Sequence, residues 1–73
     1  MKTIEQDIQE VNLLLPGGSC HVAWSEEGGG KVHRALDTLY LFSIPQYGGE
    51  DRLEGEFRLK DAGELVKLAH AWT

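Results

Sequence analysis

The chain has 73 residues, 41% hydrophobic and 26% charged, with 12 acidic against 7 basic side chains and a formal net charge of −5. This composition fits one small soluble domain over residues 1–73, and its negative balance disfavours non-specific attraction to nucleic acid or to an anionic bilayer. The longest apolar run, Leu13-Leu14-Leu15, is far short of a membrane span, the first residues are polar, and the single Cys20 cannot form an internal disulfide. The expectation is therefore a cytoplasmic protein with no membrane and no nucleic-acid partner.

Thr3-Ile4-Glu5-Gln6 reads as a capping box, in which a Thr hydroxyl accepts from the third helical amide and Gln6 reaches back. Ile4, Ile8, Val11 and Leu15 follow on one stripe, with Glu5, Gln6, Asp7, Gln9, Glu10 and Asn12 on the remainder. The spacing predicts an amphipathic helix over about 3–15, stopped by Pro16-Gly17-Gly18. From Ser19 the period changes to two. Cys20, Val22 and Trp24 alternate with His21, Ala23 and Ser25, as in a half-buried strand. Glu26 to Gly30 then reads as a flexible connection.

Lys31 to Ile44 reads as one long strand with a bulge near Asp37, although Val32, Leu36, Leu39 and Ser43 also fit a helix. Leu53, Gly55, Phe57 and Leu59 alternate with Arg52, Glu54, Glu56 and Arg58, predicting a second half of a hairpin that turns at Gly48-Gly49. Asp61-Ala62-Gly63-Glu64 reads as another capping box. Ala62, Leu65, Val66, Ala69 and Trp72 continue as a stripe to about residue 72, with Lys67 and His70 suited to the carboxyl end of the helix and Trp72 expected to be buried. The predicted fold is α+β: a two-layer sandwich in the order α-β-β-β-α, a three-stranded antiparallel sheet with two helices on one face.

The motifs that would carry chemistry fail on spacing. Gly28-Gly29-Gly30-Lys31 resembles part of a phosphate loop, but Ser25 and Val32 stand where that loop needs Gly and Ser or Thr, and Glu26 and Glu27 would repel a phosphate. Cys20, His21, His33 and His70 lack paired zinc-ligand spacing, and the adjacent Cys20 and His21 point to opposite faces of a strand. Cys20 shares its alternation with Val22 and Trp24 and reads as a small buried hydrophobe. The carboxylates Glu50, Asp51, Glu54 and Glu56 flank Arg52 and Arg58 and read as a solvated charged face.

By elimination, the expectation is a small non-catalytic protein-interaction or regulatory module, not an enzyme, with no cofactor and no metal. Trp24, Tyr40 and Tyr47 are the candidate partner-binding residues. The partner is another protein or a second copy of the chain, joined through an edge strand, because Cys20 to Ser25 carries no charged residue and no Pro to protect an edge. Two alternatives stand beside this reading. One is a small-ligand or metal-binding domain or enzyme using Cys20 and the histidines; the other is an acidic decoy for a nucleic-acid-binding protein.

Overall fold

The computed structural model describes residues 2–25, 28–45 and 48–72. In chain order these form α1 (Ile4–Asn12), β1 (Ser19–Ser25), β2 (Gly28–Ala35), β3 (Thr38–Ile44), β4 (Arg52–Arg58), a 3₁₀ turn (Leu59–Asp61) and α2 (Ala62–His70). The sheet is antiparallel with its four strands in the order β1-β2-β3-β4. It therefore has one strand more than the three expected. Leu36-Asp37 is a two-residue turn rather than a bulge, joining the paired residues Ala35 and Thr38. Leu36 adopts φ +53° there, in a position that Gly ordinarily fills.

The glycine run expected as a flexible connection is instead the start of β2. Its lack of side chains is used for close approach. A Cβ on Gly30 would lie 3.0 Å from Val22 Cγ2, and one on Gly29 would lie 3.0 Å from the Ala23 carbonyl oxygen. These contacts leave no room for larger residues between β1 and β2.

The capping box of α1 forms as predicted: the Gln6 amide donates to Thr3 Oγ1 at 3.1 Å, and the Thr3 amide donates to Gln6 Oε1 at 2.9 Å. The helix nevertheless ends at Asn12, with Leu13 as its C-cap, so Leu15 leaves the expected stripe and is 75% exposed. Pro16 disfavours helical backbone at Leu15, and the chain that follows is drawn toward the sheet. Gly17 donates to the Arg34 carbonyl at 2.8 Å, and the Arg34 amide donates to the Gly18 carbonyl at 2.9 Å.

Val11 of α1 and Ala62, Leu65, Val66 and Ala69 of α2 join Val22, Val32, Leu39 and Leu41 in one buried cluster. The second capping box does not form, since Asp61 makes no side-chain bond to the helix and the 3₁₀ turn leads into α2 instead. Trp72 lies beyond the end of α2 with 39% of its surface exposed, so its expected burial is only partial. Among the described residues, no helix is long and apolar enough to cross a membrane.

Two irregularities in the sheet alter which residues reach this core. Register shifts between Val22 and Ser25, where Ala23 takes φ +52°. Val22 and Ala23 are consequently both buried, and Trp24, expected on the apolar face, is turned out. Register shifts again beside Leu41 and Phe42, which pair with Gly55 and Leu53. Leu53 is thereby removed from the core row of Gly55 and Phe57 and stands half exposed beside Phe42.

Candidate functional site

Register partners in an antiparallel sheet share a face, and successive residues alternate between faces. Val32, Leu39 and Leu41 point to the helices, which leaves His21, Lys31, His33, Tyr40 and Phe42 on the other side. That second face is ordered in rows. Lys31 stands between His21 and Phe42, and Phe42 stands beside Leu53. His33 and Tyr40 pair in the next row, which ends at Glu56, followed by Ala35, Thr38 and Arg58.

At the opposite end Gly29 pairs with Ile44. A Cβ on Gly29 would fall 3.0 Å from Trp24 Cε3, so the indole lies over this glycine. The Trp24 ring also meets His21, with centroids 4.7 Å apart and planes tilted by 54°. One end of the face is thus apolar, with Trp24, Ile44, Phe42 and Leu53, and the other end is polar, with His33, Tyr40, Glu56 and Arg58. Trp24 and Leu53 are 49% and 50% exposed.

Of the expected partner-binding residues, Trp24 and Tyr40 are brought to this face, and Tyr47 lies outside the described residues. Phe42, Ile44 and Leu53 belong to the same surface, although the sequence pattern groups Leu53 with Gly55 and Phe57 and names neither Phe42 nor Ile44 as a contact residue. For Phe42 and Ile44 the signal was present: they lie two and four residues from Tyr40, out of phase with Leu39 and Leu41.

A second cluster is polar and enclosed. Asp7, expected on the solvent side of α1, has no exposed surface. Its Oδ2 accepts from the Ala23 amide at 2.9 Å and lies 2.6 Å from His70 Nε2. Its Oδ1 accepts no hydrogen bond among the described residues but sits 3.6 Å from Lys2 Nζ. Lys2 also pairs with Glu10, which pushes its ammonium pKa upward, and donates to the His21 carbonyl at 3.2 Å. One carboxylate thereby ties α1 to α2 and to the bulge of β1. His70, expected to serve the helix dipole, is the partner on α2.

Cys20 is half-buried between these regions. Burial is the main cause that raises its thiol to about 11, and Glu10 acts in the same direction. A thiol so placed is mostly protonated near neutral pH, the opposite of what an activated nucleophile needs. No group of three or more metal-ligating side chains occurs among the described residues.

A third surface comprises the α1–β1 connection and the β2–β3 turn, where Leu13, Leu15 and Leu36 are 79%, 75% and 74% exposed. Arg34 holds these segments together. Its Nη1 donates to the Leu14 carbonyl at 2.6 Å and its Nε to the Leu36 carbonyl at 2.8 Å. The fold and its surfaces define a small α+β domain with a helix-free sheet face. No family model, curated protein or solved structure matches the chain.

Proposed function

We propose that this chain is a small non-catalytic protein-interaction module whose contact surface is the helix-free face of its sheet. The observation that carries the reading is the apolar group of Trp24 on β1, Phe42 and Ile44 on β3 and Leu53 on β4, on the side of the sheet away from the helices, with Gly29 of β2 between Trp24 and Ile44. Aromatic and aliphatic side chains in such a group supply contact area at small conformational cost, whereas they contribute little to the monomer's own core. The unpaired Cys20 thiol suits a reducing, cytoplasmic setting.

The edge of β1, first expected as the pairing site, is the poorer candidate. Lys2 occupies the His21 carbonyl and Asp7 occupies the Ala23 amide, so two backbone groups that another strand would use already have partners. The bulge at Ala23 further interrupts the ladder.

The test compares proteins captured by the immobilised full chain with those captured by Leu53→Glu, Phe42→Glu and, as a control on exposed α1, Glu5→Gln. Specific capture should be lost with the first two and retained with the third, all three variants keeping the circular dichroism of the parent. Identical capture by all would remove the face from consideration. Stoichiometric zinc uptake, or a Cys20 that outpaces free cysteine toward a thiol probe, would instead favour the ligand-binding or enzymatic alternative.

A further inference from the structure

We infer that the oxygen cluster between α1 and β1, formed by Asp7 Oδ1, the Glu10 carboxylate and the His21 carbonyl, is a site for one hard divalent cation of the calcium class, which the Lys2 ammonium occupies in this structure. The inference stands apart from the contact-surface reading, since it uses no residue of the apolar group on the open face.

The ligand set follows from the local structure. Asp7 and Glu10 are three residues apart on α1 and so share a face of the helix, and the His21 carbonyl belongs to β1, the outer strand of the sheet. Lys2 Nζ is the point on which all three groups converge: it donates to the His21 carbonyl at 3.2 Å, pairs with Glu10, and lies 3.6 Å from Asp7 Oδ1. Every atom of the set is an oxygen and two are carboxylate oxygens, the ligand type that calcium takes and that zinc and softer metals do not select. The irregular mixture of two side chains and one backbone carbonyl suits calcium better than magnesium, which demands near-ideal octahedral geometry.

The observation that points beyond an ordinary ion pair is the state of Asp7 Oδ1. Asp7 has no exposed surface, and this oxygen accepts no hydrogen bond among the described residues, while Oδ2 is engaged by the Ala23 amide and by His70 Nε2. At 3.6 Å the ammonium attracts Oδ1 without hydrogen-bonding it. A buried carboxylate oxygen in that condition is costly, and a metal ion bonds it directly at about 2.3–2.6 Å. Within the cluster, two carboxylates face one ammonium, whereas a divalent cation balances both.

Access is open from one side. The Lys2 and Glu10 side chains are partly exposed, so water can reach the cluster and supply the remaining ligands of a calcium ion. Lys2 also precedes the N-cap Thr3, whose bonds with Gln6 hold the start of α1 without it, so the ammonium can withdraw and leave the helix intact. Three protein oxygens and an ammonium to displace set a weak site, with a dissociation constant of about 10⁻⁴–10⁻³ M.

Calorimetric titration of the full chain with calcium chloride tests this, together with thermal unfolding in the same salt. The expected result is one ion bound per chain. Lys2→Met removes the competing ammonium and should tighten binding at least about tenfold, and its unfolding midpoint should rise with calcium. Lys2→Met/Glu10→Gln should lose both responses, and Lys2→Met/Glu5→Gln, altered on exposed α1 outside the cluster, should keep them.

A folded Lys2→Met that neither binds calcium nor is stabilised by it at millimolar concentration would overturn the inference, as would binding indifferent to Glu10→Gln. If Lys2→Met does not fold in either condition, the parent decides: a heat of binding lost with Glu10→Gln supports the site, and no such heat overturns it. Uptake of zinc in preference to calcium, abolished by Cys20→Ser, would assign metal binding to the thiol and likewise overturn it.

Discussion

The corner around Asp7 and the open face of the sheet reverse the usual distribution of side chains. At the corner a carboxylate is fully enclosed, and its bonds to Ala23 and His70 join three elements; on the face, Leu53 stays half in water beside Phe42 and Trp24 half in water over Gly29. Both departures cost stability in an isolated monomer, but they have different uses. The enclosed carboxylate specifies how α1, α2 and the β1 bulge meet, because few other arrangements would satisfy it. The exposed band specifies nothing within the chain, and its free energy is realised when something covers it.

The largest expected effect breaks the corner. Asp7→Ala strands the Ala23 amide and removes the contact with His70, so urea denaturation should show a loss of about 3–5 kcal/mol. Asp7→Asn, which retains an acceptor for Ala23, should lose less. Equal stability losses for Asp7→Ala and Leu53→Ser would erase the distinction between the two regions.

Gly29→Ala acts where the regions join. Its Cβ would stand 3.0 Å from backbone atoms of both Ala23 and Trp24, which cannot yield as a flexible side chain would. A loss of about 1–3 kcal/mol is expected, together with altered Trp24 fluorescence. Next in size, Leu36→Asn should raise stability by about 1 kcal/mol, because Asn accepts the left-handed backbone that Leu36 is forced into. A fall in the urea midpoint for that variant would show that Leu36 makes contacts that outweigh its strain.

Leu53→Ser should change monomer stability by no more than about 0.5 kcal/mol, as for other exposed positions. The smallest effect is a pH dependence. The folded-state pKa of Cys20 is raised to about 11 from an unfolded value near 9, so its contribution to stability is complete below about pH 9 and declines as pH rises toward 11. Thiol-probe kinetics should follow the same course, slow at neutral pH and accelerating across that window.

Periodicity made much of this fold legible. The stripe of α2 predicted Leu65, Val66 and Ala69 correctly, and Thr3 with Gln6 gave the start of α1. What escaped was local backbone geometry. A strand pattern counts residues in twos, and the left-handed Ala23 inserts one extra residue that turns Trp24 to the other face. The irregularity beside Leu41 and Phe42 displaced Leu53 in the same way.

Leu36 hid the β2–β3 turn because nothing in its chemistry announces a residue that accepts positive φ. Asp7 fell on the polar side of a correct helical wheel, and its burial depends on His70, 63 positions away, a pairing that no local pattern encodes.

Arg34 gives the leucine-bearing connection after α1 a mechanical character that its lack of secondary structure conceals. Its amide, its carbonyl and its guanidinium fasten residues 14–18 to β2 and to the following turn. Hydrogen exchange at Gly17 and Arg34 should accordingly keep pace with the sheet's opening rather than with that of a free loop. Leu15 and Leu36 are then fixed prongs on a stiff rim, so binding to them would require little ordering of the chain.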